Sequence, residues 1–296
     1  MGDDPVHPVR EYVLGSTDPE MARLAAISRV YGPMTGAWLD AAGVGPGMRV
    51  ADLGCGPGDV TLAAARRVGP TGSVVGVDDA ARPLERARRR AEGAHLATVS
   101  FEQGDVLSWE PAQPLDAVVG RFILLHLPDP VAALVRAAEL VRPGGIVAFA
   151  DVALTTRGSL PELSLLTAYN GWFLETFRRA GRPVDMALRL AAVFAAAGLP
   201  DPVLTSAAPA ERGGDAVGWS IIGGDVTSLL PVIERTGVAT AAEIGPDTFE
   251  QRLRAQAAAH DAVLLNPLVV GASARTPLVP PPRGGQGRPL RGARRA

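Results

Sequence analysis

The chain of 296 residues contains no lysine, and all 29 of its basic residues are arginine. Together with abundant alanine, glycine and proline, this is the mark of a biased base composition, so an arginine here is weak evidence for a site by itself. A single cysteine, Cys55, excludes an internal disulfide and any thiolate-based zinc site. Four scattered histidines lack metal-ligand spacing, so no metal is expected. There is no apolar run of about 18 residues and no charged segment leading into an apolar core at the start of the chain, so neither a membrane span nor export is expected. Cytoplasm is the default location. A formal net charge of -2 and a pI near 6.1 offer no general attraction for a nucleic-acid backbone. Aromatic residues make up only 5% of the chain, whereas 47% is hydrophobic, enough for one large α/β core or a core with a cap. There are no internal repeats.

The stretch 50–60, VADLGCGPGDV, organises the rest. Apolar residues around Asp52 read as the end of a buried parallel strand, and Gly54, Gly56 and Gly58 follow at every second position before a helical run over 61–68. Glycine at alternate positions permits a sharp turn and lets a ligand lie close to the main chain. A dinucleotide fingerprint would need its third glycine at position 59, which is Asp59, and a carboxylate there would repel a pyrophosphate. An NAD-dependent oxidoreductase is therefore disfavoured.

The pattern DxGxGxG resembles the first motif of class I S-adenosylmethionine-dependent methyltransferases, whose cofactor is a nucleoside without phosphate. The resemblance implies a doubly wound, seven-stranded Rossmann-like α/β sheet with a helical N-terminal cap and helical lid insertions. Asp52, Gly54, Cys55, Gly56 and Gly58 then belong to the cofactor turn. A second apolar strand, 73–77, closes on Asp78 and Asp79, where such a fold presents acceptors to the ribose hydroxyls. The family also places an aspartate after strand three against the adenine amine and the next backbone N–H against the ring. Gly104, Asp105 and Val106 take that position. Tyr12 and Arg23 could reach the cofactor carboxylate from the cap, and Arg121 should face the crevice from the end of strand four.

Along the chain, 1–15 reads as a flexible arm and 16–45 as the cap. Thr17 and Glu20 have the spacing of a capping box that opens one helix, and 34–42 reads as a second. The core is 46–155, in which strand four spans 115–125. Asp129 and Pro130 start a helix with Val131, Leu134, Val135 and Ala138 buried. Residues 156–275 form the substrate side: an aromatic helix at 160–181, an amphipathic helix near 186–197, a sixth strand near 202–208, a lid of two helices over 213–260 with the second opened by Asp247, and a last strand over 262–273. The Pro-, Gly- and Arg-rich stretch 276–296 reads as disordered. His126 and Tyr169 are the candidate catalytic groups, the imidazole because its ordinary pKa suits a general base at neutral pH. No flipped-base motif of the NPPY type occurs, since Asn266 and Pro267 are followed by Leu268. The acceptor is thus expected to be a small, flat or hydrophobic molecule, methylated on O, N or C, with a homodimer left open. The alternative is a protein of the same fold that binds the cofactor but catalyses a cyclisation or serves as a scaffold.

Overall fold

The computed structural model describes residues 18–278. The arm, Tyr12, Thr17 and the tail beyond Leu278 lie outside the described residues. In chain order the elements are α1 (Asp18–Ala42), β1 (Arg49–Leu53), α2 (Asp59–Val68), β2 (Ser73–Asp78), α3 (Ala81–Gly93), β3 (Val99–Gln103), β4 (Leu115–Arg121), α4 (Pro130–Leu140), β5 (Val141–Ala153), β6 (Gly158–Leu160), α5 (Ser164–Arg179), α6 (Met186–Ala196), β7 (Val203–Ala207), β8 (Ala210–Arg212), α7 (Gly218–Arg235), α8 (Ala241–Ile244), α9 (Pro246–Ala259), β9 (Val263–Leu265) and β10 (Leu268–Arg275).

Seven strands form one sheet in the order β3-β2-β1-β4-β5-β10-β7. β1 runs parallel to both β2 and β4, with Asp52 opposite Gly76 on one side and Val119 on the other. β10 returns antiparallel between β5 and β7. The winding reverses between β1 and β4, so a crevice opens beyond the carboxyl ends of these two strands, the position where open α/β sheets bind ligands. Valines dominate the central strands because both faces are covered, and Val50, Val118, Val119 and Val147 are all buried. β6, β9 and β8 make a separate three-stranded sheet.

Several elements depart from the sequence expectation, each for a local reason. The two cap helices are one helix, α1, that runs through Pro33. Proline there removes a donor to the preceding turn. Burial of Val30, Tyr31, Trp38 and Leu39 on both sides carries the helix across the gap, and the Thr35 hydroxyl donates to the Tyr31 carbonyl at 3.0 Å. β4 stops at Arg121, because Phe122 takes a left-handed conformation at φ 61° and one tight turn, Leu124–His126, follows. Of the expected face of α4 only Leu134 is buried, together with Ala133, Ala137 and Leu140, and Val135 is 41% exposed. The helix is apolar at most positions, so its periodicity was ambiguous. The lid holds three helices, because Gly245 at φ 64° ends α8 and Pro246 starts α9. The capping box there is Thr240 with Glu243, and Asp247, expected to open the second helix, lies inside α9, which Gly245 caps. Pro267 divides the expected last strand into β9 and β10, which join different sheets. Thr276, expected in the disordered tail, is tied to the first residues of β5 by its N–H to Gly145 O at 2.9 Å and its hydroxyl to Arg142 O at 3.0 Å.

Candidate functional site

A cavity of about 970 Å³ occupies the crevice at the strand ends. Gly54, Cys55, Gly56, Asp78, Asp79, Gly104, Asp105, Val106, Arg121, Arg23 and His126 all line it. They come from the turns after β1, β2, β3 and β4 and from α1, so residues spread over more than a hundred positions converge on one space.

The glycine turn is anchored from the next strand. The carboxylate of Asp78 accepts from the Gly56 N–H at 2.8 Å and from the Ala80 N–H at 3.0 Å. Burial pushes its pKa up, and these two hydrogen bonds oppose the rise. Gly56 sits at φ 50°, and a Cβ built on it would meet nothing within 4 Å, so its open side is free for a ligand to lie against the main chain. Across the crevice, Gly104 donates to Asp78 O at 3.0 Å, and Asp105 accepts from the Leu107 N–H at 2.8 Å, which fixes the turn that presents Val106. The Arg121 guanidinium is buried beside Asp59 at 3.3 Å, hydrogen-bonds Thr35, and lies 5.0 Å from the Phe122 ring centroid.

Three expected site residues stand off the cavity. Asp52 lies beneath the turn, where its Oδ2 accepts from the Thr61 hydroxyl at 2.6 Å. Complete burial pushes its pKa up to about 7. Gly58 caps α2 at φ 84°, and a Cβ there would come within 3.0 Å of the Ala87 Cβ and 3.2 Å of the Phe101 ring. It is required for close packing of α2 against α3 and β3. Tyr169 is 2% exposed behind the cavity wall, where its hydroxyl donates to Asp225 at 2.6 Å and accepts from Arg157 at 2.5 Å.

Two further expectations change on contact with the geometry. Arg23 lines the cavity, but its Nε and one terminal nitrogen are held by Glu20 at 2.7 and 2.6 Å, and the other reaches Asp225 at 3.2 Å. Glu20, expected to cap the first turn, is fully buried in this pair. His126 also lines the cavity, yet burial, together with the positive charges of Arg23 and Arg182, pushes its pKa down to about 3. A neutral imidazole so hard to protonate is a weak general base at neutral pH.

The sequence reading missed the group that closes the far end. Arg23, Glu20, Asp225, Arg157 and Tyr169 form one buried network, drawn from α1, α5, α7 and the segment after β5. An aspartate within the apolar run of α7 was the only signal. Around this end stand Leu24 and Ile27 of α1, Phe173 and Phe177 of α5, and Ile221 of α7, which make an apolar wall. Asp151, also unforeseen, accepts from the Leu125 and Val152 N–H groups at 3.1 and 2.9 Å and pins the turn after β4 to β5.

Residues 45–176 match the methyltransferase domain family. They form a methyltransferase domain. Its strand order and glycine turn are those of the class I S-adenosylmethionine-dependent type. The chain is similar to the 2-phytyl-1,4-naphthoquinone methyltransferase of Thermosynechococcus vestitus, 35% identical over 150 residues, which are 50% of this chain and 62% of that protein. It is also similar to an aklanonic acid methyltransferase of Streptomyces sp. strain C5, 39% identical over 104 residues, 35% of this chain and 47% of that one. The chain spans 41%, 47% and 62% of the length of three curated relatives, these two and an uncharacterised transposon protein of Streptomyces fradiae. Among solved structures, Haemonchus contortus phosphoethanolamine N-methyltransferase 2 shares the fold with a TM-score of 0.56 at 18% identity, over 93% of this chain and 61% of that one.

Proposed function

We propose that this protein transfers the methyl group of S-adenosylmethionine to an oxygen, nitrogen or carbon atom of a small, largely apolar molecule by in-line displacement. One observation carries the reading: the cavity is continuous from a polar half, built by the glycine turn and the Asp78 and Asp105 turns, into an apolar half roofed by α1, α5 and α7. The polar half fits a nucleoside. Asp78 takes the ribose hydroxyls with the lone pairs that Gly56 and Ala80 leave over, Val106 and Asp105 meet the base, and the open side of Gly56 receives the chain that follows. Asp59 stands where a dinucleotide turn would have its third glycine, so that fingerprint is incomplete here. When bound, S-adenosylmethionine supplies an already activated methyl group, so the protein has to align the acceptor and exclude water, and alignment alone can contribute roughly 7 to 11 kcal/mol. α1, α5 and α7 cover the cavity for that purpose, and Phe173 and Phe177 set its shape. Among the described residues no helix is long and apolar enough to cross a membrane.

The test is incubation of the purified protein with S-adenosylmethionine and a panel of small aromatic and polyketide-like acids, phenols and amines. Mass spectrometry should find S-adenosylhomocysteine formed together with a product heavier by one CH2. Cofactor binding without turnover on any acceptor, or turnover that follows added RNA or DNA instead, would refute the reading.

A further inference from the structure

The apolar half of the cavity carries more positive charge than negative. Three guanidiniums face it, those of Arg23, Arg157 and Arg182. Arg23 is taken up by Glu20 and Asp225, and Arg157 shares Asp225 at 3.8 Å while holding the Tyr169 hydroxyl. Arg182 makes no ion pair among the described residues. Its NH1 donates to the His126 carbonyl at 2.5 Å, which fixes the side chain on the cavity wall. Among the described residues, three cations against the two carboxylates of Glu20 and Asp225 leave a net charge of one in favour of the cations, in a space walled by Phe173, Phe177 and Ile221 where water screens poorly.

Among the described residues the same half has no group ready to take a proton. The two charges that flank His126, on Arg23 and Arg182, oppose its protonation, and burial opposes it further. Asp225 already accepts from Arg23 and from Tyr169. An acceptor that had to be deprotonated here would find no base among the described residues, whereas one that arrives ionised needs none.

We infer that the methyl acceptor is an apolar molecule bearing an oxygen acid that is ionised at neutral pH, a carboxylate or an acidic enol or phenol, and that Arg182 is its counter-ion. The inference rests on the methyltransferase reading above. Transfer to that oxygen balances without a proton: the O–C bond forms as the C–S bond breaks, the bonding pair stays on sulfur, and the anion and the sulfonium charge cancel.

The test uses the full chain saturated with S-adenosylhomocysteine, with 2-naphthoate as the probe and 2-naphthamide as its uncharged counterpart on the same apolar frame. Calorimetry should show the acid binding about tenfold or more tightly than the amide. Arg182→Gln should abolish that preference and Arg182→Lys should keep part of it, while affinity for S-adenosylhomocysteine and melting temperature stay as in the wild type. Should the glutamine variant fail to fold, the wild-type ratio decides alone. An acid that binds no better than the amide, or a preference that survives Arg182→Gln, overturns the inference and leaves the cofactor reading standing. Failure of the folded protein to bind S-adenosylhomocysteine overturns the methyltransferase reading and the inference with it.

Discussion

Asp225 is the residue whose loss should be felt most. Its side chain is 3% exposed, and it is the shared partner of Arg23 at 3.2 Å, of Arg157 at 3.8 Å and of the Tyr169 hydroxyl at 2.6 Å. With Glu20 it balances two buried guanidiniums, so Asp225→Ala leaves one positive charge uncompensated and one tyrosine hydroxyl without its acceptor. Removing one member of a buried ion pair typically costs about 3 to 5 kcal/mol. Access from the cavity argues for the lower end, since water can reach a residue on its wall. At about 2 to 4 °C per kcal/mol for a chain of this order of length, the melting temperature should fall by roughly 6 to 20 °C. Tyr169→Phe removes a hydrogen bond but no charge, and should cost about 1 to 3 kcal/mol. Calorimetric melting of both variants at one pH and one salt concentration decides the matter. If Asp225→Ala melts within about 2 °C of the wild type, the network is not a compensated set of buried charges and its charge accounting fails.

That network also marks the limit of what a sequence can reveal. The glycine turn, Asp78 and Asp105 were legible because their meaning lies in spacing along a few residues, and the spacing survives in the fold. Arg23 and Asp225 are separated by 202 positions. Nothing in either neighbourhood names the other. Gly58 and Asp52 illustrate a subtler loss: they belong to the motif, yet one packs α2 against its neighbours and the other lies beneath the turn, so a pattern recognised as a unit divides its residues between cavity wall and scaffold. Arg121 could be placed at the crevice from its position in an apolar strand, but its tether to Asp59 and Thr35 could not. The left-handed Phe122 that ends β4 had no sequence signal at all.

The division within the glycine turn can be measured. Gly56→Ala, with open space around the added Cβ, should cost about 1 kcal/mol of stability for its positive φ and weaken cofactor binding at least about tenfold, whereas Gly58→Ala should do the reverse, losing roughly 1 to 3 kcal/mol in thermal melting with affinity nearly intact. Asp52 makes a prediction about pH. Its folded pKa of about 7 lies above the ordinary value of 3.8, so between these pH values the folded state holds a proton that the unfolded chain has lost, and stability falls as pH rises through that window. Asp52→Asn, which cannot titrate, should therefore gain on the wild type from about pH 4 to pH 7 and no further above it. An unchanged difference in unfolding free energy at pH 4.5 and pH 7 would remove the burial argument.

The crevice at the ends of β1 and β2 is proposed to hold S-adenosylmethionine through Asp78. Isothermal calorimetry on the purified chain should show one site per molecule. Asp78→Ala, which removes the ribose acceptor, should weaken it by about 2 to 3 kcal/mol, or roughly 30- to 150-fold. Because the same carboxylate also anchors the Gly56 and Ala80 N–H groups, Asp78→Asn serves as the companion that keeps the shape and loses the charge. Single-site binding that collapses in both folded variants is the predicted result. No binding by the folded wild-type protein, or an affinity that Asp78→Ala leaves unchanged, would contradict it.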